Sequence, residues 1–368
     1  MAGESTRGSA AYLTAISLVA ALGGLLFGYD TAVISGAIGF LAEHFRLAEL
    51  YSPEQAAAMT GWAASSALVG CFIGVIFAGP MNDRYGRRPA LIVAAVLFLV
   101  SAVGSAIPRS LTEFIIYRIV GGLGVGIASM TSPMYIAEIS PARHRGCMVS
   151  LNQFAIIFGM LVVYFVNYFI AGAGDHAWDV AHGWRWMFGS EAIPCLLFLV
   201  ALFAVPESPR FLVQRGRVEE ARRVLARVDG TAFANAEIAE IQAAQATESG
   251  SMRDLFRPGM RMLPLLGVAL AVLQQVTGIN VFLYYAPEIF KAVGGSDTDL
   301  ALLQTIVVGA VNLLFTVLAI WSVDRIGRKP LMIVGAAGMG LSLTAIGLAA
   351  CFQMVGGWLL IFVLGYIA

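Results

Sequence analysis

The sequence predicts an all-α protein that crosses a membrane many times, and three observations support this prediction. Of the 368 residues, 59% are hydrophobic and only 12% are charged, whereas a soluble domain carries about 25% charged residues. The mean hydropathy is +0.80. Long apolar runs recur along the chain, and a helix of about 20 apolar residues crosses a bilayer core. A surface with so few charges must face lipid rather than water.

Nine apolar runs are long enough to cross a bilayer as helices, and a tenth begins near the end of the chain. The nine runs cover residues 12–41, 58–80, 90–107, 112–139, 147–171, 187–205, 262–291, 300–322 and 331–354. The tenth opens at Gly357 and is still apolar at Ala368. We therefore expect about ten helices in a chain that stops within a longer fold. The first run is too long for a signal peptide and has no obvious cleavage site, so it is predicted to be the first span.

One polar segment, residues 206–261, separates six of these runs from the others. It is rich in Arg, Glu, Ala and Gln, and Val218–Val228 and Ala234–Ala246 have the composition of helices. The sequence therefore predicts a six-helix half at 1–205, a helical linker at 206–261, and a second half at 262–368 that ends within its fourth helix. A disordered linker is the alternative.

Lysine and arginine are distributed unequally between alternate loops. Eighteen fall on the side that holds the N-terminal tail and the linker, and four (Arg46, Arg109, Arg185 and Lys291) fall on the other side. Because loops rich in Lys and Arg remain cytoplasmic, the tail and linker are predicted to be cytoplasmic in a multi-pass protein of the cell membrane. The formal net charge of zero provides no basic field for nucleic acid.

A short motif occurs twice, as NDRYGRRP at residues 82–89 and as VDRIGRKP at residues 323–330. Each copy follows the second apolar run of its half. The need for positive charge in cytoplasmic loops does not explain why Asp, Gly and Pro also recur at the same positions. The two copies therefore indicate a duplicated six-helix unit, and many secondary transporters are built from such internal repeats. The sequence predicts gating or structural roles for Asp83, Arg84, Gly86 and Arg87 in the first copy and for Asp324, Arg325, Gly327 and Arg328 in the second.

These motifs resemble the sugar porter family of the major facilitator superfamily. The resemblance also rests on GGLLFGYDTAVISGA at 23–37, YRIVGGLGVG at 117–126, PESPRFL at 206–212 and QQVTGINVFLYYAP at 274–287. It covers nearly the whole chain and is strongest toward bacterial proton-coupled sugar symporters of the xylose-transporter kind. It implies a major facilitator fold of two six-helix halves, the second incomplete here, and import of a monosaccharide with protons by alternating access.

Two charged residues, Asp30 in the first run and Arg118 in the fourth, lie within predicted spans. An ionised residue at the bilayer centre costs about 2.5–3.5 kcal/mol on insertion scales, so a functional role is the default hypothesis. We predict that they neutralise each other and that protonation of Asp30 releases Arg118, which would couple transport to protons. The resemblance favours this role, because proton-coupled sugar porters carry an Asp at this position. A static ion pair is the alternative.

Uncharged polar side chains lie in three other runs. They are Gln153 in the fifth run, Gln274, Gln275, Asn280 and Tyr284 in the seventh, and Asn312 in the eighth. Amides both donate and accept hydrogen bonds, as sugar hydroxyls require, and the resemblance places sugar-binding residues at these six positions. The alternative for a lone amide is a hydrogen bond that joins two helices.

Four further residues are predicted to act in gating or structure rather than in binding. Gly278 interrupts the seventh run beside the polar cluster, and discontinuous helices line the sites of many transporters. Glu138 in PMYIAEISP and Glu207 and Arg210 in PESPR lie near helix ends, where salt bridges with loop arginines are expected.

The remaining patterns argue against other functions. Gly121–Gly126 (GGLGVG) follows no predicted strand, so close helix crossings explain it better than nucleotide binding. No metal set, nucleophile triad or Walker motif is visible, so we expect neither a cofactor, nor a metal, nor enzymatic activity. A facilitative sugar uniporter and a non-transporting sugar sensor remain open as alternatives, and the sequence does not indicate the sugar or the oligomeric state.

Overall fold

Every regular element of the described residues is helical. The structure is a computed structural model that describes residues 9–247, 259–294, 297–352 and 358–367. Before the linker lie α1 (Ala10–His44), α2 (Leu47–Leu50), α3 (Pro53–Tyr85), α4 (Arg87–Ala106), α5 (Leu111–Ile139), α6 (Ala142–Ala171), α7 (His176–Trp178), a π-helical turn (Asp179–Gly183), α8 (Trp184–Gly189) and α9 (Ala192–Ala204). The linker contains α10 (Pro209–Gln214), α11 (Val218–Asp229) and α12 (Thr231–Thr247). After it come α13 (Met262–Val276), α14 (Ile279–Gly294), α15 (Thr298–Ile326), α16 (Arg328–Cys351) and α17 (Trp358–Ile367).

Nine helical stretches of the described residues are long and apolar enough to cross a membrane. Six precede the linker and three follow it, which confirms the nine complete runs that the hydropathy predicted. The sixth stretch, His176–Ala204, begins earlier than the predicted start at residue 187 because α7, the π-helical turn and α8 extend it. The tenth run appears as α17, and its predicted start at Gly357 lies outside the described residues.

Short polar side chains set where several of these helices begin. Ser52 caps α3 in a capping box with Gln55, and Pro53 occupies the first helical position, where its missing N–H costs nothing. Ser110 accepts a hydrogen bond from the backbone of Glu113 and caps α5 in the same way. These caps satisfy backbone donors that have no partner within the helix.

Glycines allow the helices before the linker to cross at very short distances. A Cβ placed on Gly122 of α5 would lie 2.0 Å from the carbonyl oxygen of Ala67 in α3, and one on Gly28 of α1 would lie 1.9 Å from that of Ile156 in α6. No other residue type fits at such a crossing. The prediction that Gly121–Gly126 serves helix packing is therefore confirmed.

The linker helices pack on the six-span bundle at the end where its chain leaves α9. Val228 of α11 shares a buried cluster with Leu13, Tyr135 and Val205. Arg143 at the start of α6 forms an ion pair with Asp229 of α11 at 2.8 Å. We call this face of the molecule the linker end and the other face the opposite end. The described part of the linker forms three helices, and α11 and α12 cover the two segments whose composition predicted helices. Residues 248–258 lie outside the described residues.

Substitution of Gly122 tests the helix crossing. Gly122→Leu should lower stability by about 1–3 kcal/mol or more, because overpacking forces α3 and α5 apart. The measurement is the thermal unfolding midpoint of the purified protein in detergent. Gly146→Leu is the control, because no atom lies within 4 Å of a Cβ placed there. Equal midpoints for the two variants would contradict the role of this crossing.

Candidate functional site

Asp30 and Arg118 form an ion pair inside the six-span bundle. The Nη1 of Arg118 donates to Asp30 Oδ1 at 2.6 Å, and its Nη2 donates to the backbone oxygen of Asp30 at 3.1 Å. Both side chains are only 1% exposed. A buried ion pair requires this close geometry, because removal of two charges from water costs several kcal/mol per ion. The structure thus brings together the two residues that the sequence paired.

Small and aromatic side chains shape the space around this pair. A Cβ on Gly121 would lie 3.3 Å from Asp30 Oδ1, so the glycine lets the carboxylate of α1 approach α5. The guanidinium of Arg118 lies over the ring of Phe188 in α8 at 5.5 Å. Such a contact stabilises a desolvated cation.

Glu191 is a second buried acid near the pair, and the sequence analysis missed it. Its side chain is 1% exposed and interacts electrostatically with both Asp30 and Arg118. Its Oε1 receives no hydrogen bond from the described residues. A signal was available, because Glu191 is the one charged residue inside the predicted run at 187–205. The site therefore holds two carboxylates and one guanidinium.

The seventh span is broken at the polar cluster, as the sequence predicted. α13 ends at Val276 and α14 begins at Ile279, and Gly278 between them has a φ of 82°, which favours glycine. Across this break, Asn280 Nδ2 donates to Gln275 Oε1 at 2.8 Å. The break therefore places these two amides side by side on the surface of the helix pair.

The other predicted sugar ligands are more dispersed. Gln153 and Gln274 are exposed and Asn312 is half-buried. No hydrogen bond within the described ranges joins Gln153 or Asn312 to the Gln275–Asn280 pair. Tyr284 is buried, and it lies within electrostatic range of Asp30 and Arg118. The structure thus connects Tyr284 with the ion pair and leaves the amides on separate helices.

Glu138 and Arg87 form the salt bridge expected at the linker end. The Nη2 of Arg87 lies 2.7 Å from Glu138 Oε1, and its Nη1 donates to the backbone oxygen of Asn82 at 3.1 Å. The hydroxyl of Ser208 donates a short hydrogen bond to the other oxygen of Glu138. This network ties α4 and α5 to the start of α10.

Glu207 differs from its prediction, because its partners are mainly backbone amides. Its carboxylate accepts from the N–H groups of Arg87, Arg88 and Ser208 at 2.7–3.3 Å. An anion is favoured at the start of a helix, and Glu207 occupies that place for α4. Burial nevertheless raises the pKa of Glu207, and the three N–H groups act in the opposite direction.

Each motif copy contains a glycine with a positive φ between two helices. Gly86 between α3 and α4 has a φ of 98°, and Gly327 between α15 and α16 has a φ of 90°. In the first copy, Arg215 of the linker donates to the backbone oxygens of Asp83 and Arg84. In the second, the guanidinium of Arg325 lies 4.0 Å from the centre of the Trp321 ring. The side chains of Asp324 and Arg328 lie outside the described part.

Arg210, the other residue predicted to act in gating or structure at the start of the linker, lines a cavity together with Glu138.

The spans before and after the linker meet at the opposite end. A Cβ on Gly39 of α1 would lie 2.7 Å from Glu288 Oε1 of α14, and one on Gly309 of α15 would lie 2.7 Å from the ring of Tyr164 in α6. Toward the linker end, α13 has no buried residue. We call the α1–α14 and α6–α15 contacts the seam.

A polytopic helical bundle with a buried ion pair, a broken helix carrying amides and a duplicated turn defines a membrane transporter. The family model "Sugar (and other) transporter" matches residues 16–368, and the chain belongs to this family.

Individual relatives agree with this assignment. The D-xylose-proton symporter of Escherichia coli (strain K12) is 49% identical over 99% of this chain and 77% of that protein. The arabinose-proton symporter of Bacillus subtilis (strain 168) is 40% identical over 98% and 76%. The partially occluded, inward-open structure of the xylose transporter XylE from E. coli superposes with a TM-score of 0.88 at 48% identity, over 97% of this chain and 83% of that one. The major facilitator fold expected from the sequence is confirmed.

Substitution at the seam should change which end of the molecule is open. A leucine at Gly39 would occupy the position of the Glu288 carboxylate and hold α1 and α14 apart. Spin labels at Glu49→Cys and Leu300→Cys, in a background without the native cysteines, should then report a longer distance across the opposite end. Gly335→Leu is the control, because no atom lies within 4 Å of its Cβ position. An unchanged distance in Gly39→Leu would contradict this view of the seam.

Proposed function

We propose that the protein imports a monosaccharide together with protons by alternating access. The observation that carries this proposal is the buried Asp30–Arg118 pair in a member of a sugar transporter family. The two relatives described above are named as proton symporters of pentoses. Neither an enzymatic reaction nor a cofactor is part of the proposal.

Asp30 is the proton-binding group in this mechanism. Its Oδ2 receives no hydrogen bond from the described protein atoms, so this oxygen is the one available to a proton. Protonation would remove the charge that holds Arg118 in place. Arg118 would then turn toward Glu191, the other carboxylate within its electrostatic range. The guanidinium would remain compensated in both states, as a buried charge requires.

The amides provide the sugar site. Gln275 and Asn280 are joined across the break at Gly278, and each retains donors and acceptors for hydroxyl groups. Gln153, Gln274 and Asn312 would complete the site from neighbouring helices, and Tyr284 would connect it with the ion pair. A site without a charged ligand suits a neutral solute.

The linker end is cytoplasmic in this proposal, because the basic loops and the linker lie there. The seam then closes the outer end, so the described conformation faces inward. Residues 1–205 form one six-helix half and residues 262–368 belong to the other, with 206–261 as the linker. Alternating access would open the seam and close the linker end.

Asp30→Asn tests the proton site directly. The amide keeps the shape of the side chain but takes up no proton, so sugar-dependent alkalinisation should disappear while exchange of labelled sugar persists. Asp175→Asn, at an exposed acid, is the matched control and should behave as wild type. Alkalinisation that persists in Asp30→Asn would place proton coupling elsewhere.

Uptake of a panel of labelled sugars, with and without a proton ionophore, separates the candidate functions. Accumulation that the ionophore abolishes supports symport. Equilibration that is insensitive to the ionophore indicates a uniporter, and binding without uptake indicates a sensor.

Asn280→Ala and Gln275→Ala test the sugar site. Loss of a hydrogen bond worth about 0.5–1.5 kcal/mol should raise the apparent KM about two- to tenfold. The measurement is the initial rate of uptake against sugar concentration. Gln214→Ala, an exposed amide of the linker, should leave the KM unchanged. If the two site variants match this control, the amides do not bind the sugar.

A further inference from the structure

A cavity of about 430 Å³ lies at the linker end, between α11 and the ends of α1, α3 and α4. Its volume is within the range of about 300–1,000 Å³ that is usual for small-molecule sites. Four arginines line it together with two glutamates; these are Arg88, Arg217, Arg223 and Arg227, with Glu207 and Glu220. The lining is therefore predominantly cationic.

Both glutamates already have partners. Glu207 accepts from the backbone N–H groups that begin α4, and Glu220 forms an ion pair with Arg217 at 2.6 Å. Among the described residues, no ion pair joins either carboxylate to the other three arginines, although Glu220 interacts electrostatically with Arg223. Because four guanidinium groups face two carboxylates, the cavity favours an anion.

Two of these arginines lie on one face of α11 with little else to bind. Arg223 and Arg227 are four residues apart, so they are neighbours on the helix surface. The Nε of Arg223 makes one long hydrogen bond of 3.4 Å to the backbone of Glu219. No hydrogen bond or ion pair to the side chain of Arg227 occurs within the described residues. Among the residues that the structure describes, their terminal nitrogens have no hydrogen-bond acceptor, and both side chains line the cavity.

Arg88 is held rigidly on the other side of the cavity. Its Nε donates to the backbone oxygen of Leu202 and its Nη2 to that of Phe203, both at 2.9 Å. Its Nη1 makes no hydrogen bond to the described part of the chain. Three guanidinium groups around one cavity suit a tetrahedral oxyanion, because planar N–H forks match phosphate oxygens.

The cavity adjoins the lipid-facing surface of the bundle. Val200 and Phe203 of α9 are 67% and 63% exposed, as expected of side chains that contact acyl chains. α9 ends at Ala204, and the end of a membrane-spanning helix is expected at the level of the phospholipid headgroups. Arg88 therefore reaches the cavity from the boundary between acyl chains and headgroups.

We propose that this cavity binds the phosphate group of a phosphate ester through Arg88, Arg223 and Arg227. The bound phosphate would join α11 to α4 and so fasten the linker to the six-span bundle. The group could come from the headgroup of an anionic phospholipid or from a soluble phosphorylated compound, since both offer the same oxyanion. This site is independent of the proposed sugar transport.

The test compares the intact protein with the double variant Arg223→Gln/Arg227→Gln in nanodiscs that contain a fluorescent phosphatidylglycerol in a phosphatidylcholine background. Each arginine near an anionic headgroup contributes about 1 kcal/mol, so the double variant should bind the labelled lipid about tenfold or more weakly. Arg222→Gln is the matched control, because Arg222 lies on the same turn, pairs with Glu219 at 3.7 Å and does not line the cavity. The variant Arg223→Lys/Arg227→Lys, which keeps both charges, should retain part of the affinity.

The outcomes separate a specific site from general attraction. If the double variant and Arg222→Gln lose lipid affinity equally, general surface charge explains the binding and the proposal is overturned. If neither variant loses affinity, the proposal is also overturned. Glycerol 3-phosphate and inorganic phosphate are added to identify the source. If either displaces the labelled lipid from wild type but not from the double variant, the cavity accepts soluble phosphate as well. Specific lipid binding without such displacement assigns the site to the headgroup.

Discussion

The buried ion pair of Asp30 and Arg118 sets conditions that the rest of the six-span bundle must meet. Two charges that are each 1% exposed have lost their hydration, and only short contacts and further hydrogen bonds offset that loss. Gly121 permits the approach of α1 to α5, and the ring of Phe188 covers the guanidinium. The close helix crossings of this bundle therefore do more than stabilise the fold, because they also bring the two charged side chains together.

The amides and the ion pair occupy parts of the structure with very different packing. The pair lies among helices fastened by buried hydrogen bonds, such as that from Asn167 Nδ2 to the backbone oxygen of Val33. Gln275 and Asn280 flank a break in a span whose first helix has no buried residue. A rigid, water-poor environment keeps the effective dielectric constant low. Loss of the charge of Asp30 on protonation therefore has a large effect on its interaction with Arg118. A broken helix, by contrast, lets a binding surface change shape.

Much of this arrangement could be predicted from the sequence, and the gaps have physical causes. Hydropathy predicts spans because each must cover the same thickness of hydrocarbon, and the duplicated motif predicts the matching turns at Gly86 and Gly327. Glu191 was missed although it lies within a predicted span, because no partner adjoins it along the chain. Whether Gln153 meets Gln275 depends on the rotation and tilt of two separate helices. Periodicity determines the face of each helix but not those angles.

One face of α14 connects the three parts of the proposed mechanism. Asn280, Tyr284 and Glu288 are spaced four residues apart, so they lie along one side of this helix. Asn280 belongs to the amide pair, Tyr284 is within electrostatic range of the ion pair, and Glu288 abuts Gly39 at the seam. Because Tyr284 and Glu288 lie one turn apart on α14, we expect opening of the seam to move Tyr284 relative to Arg118. In the proposed mechanism, this one helix carries an amide of the sugar site, a tyrosine within electrostatic range of the proton site and a residue of the seam. Coupling between sugar, proton and conformation then requires no long chain of side chains.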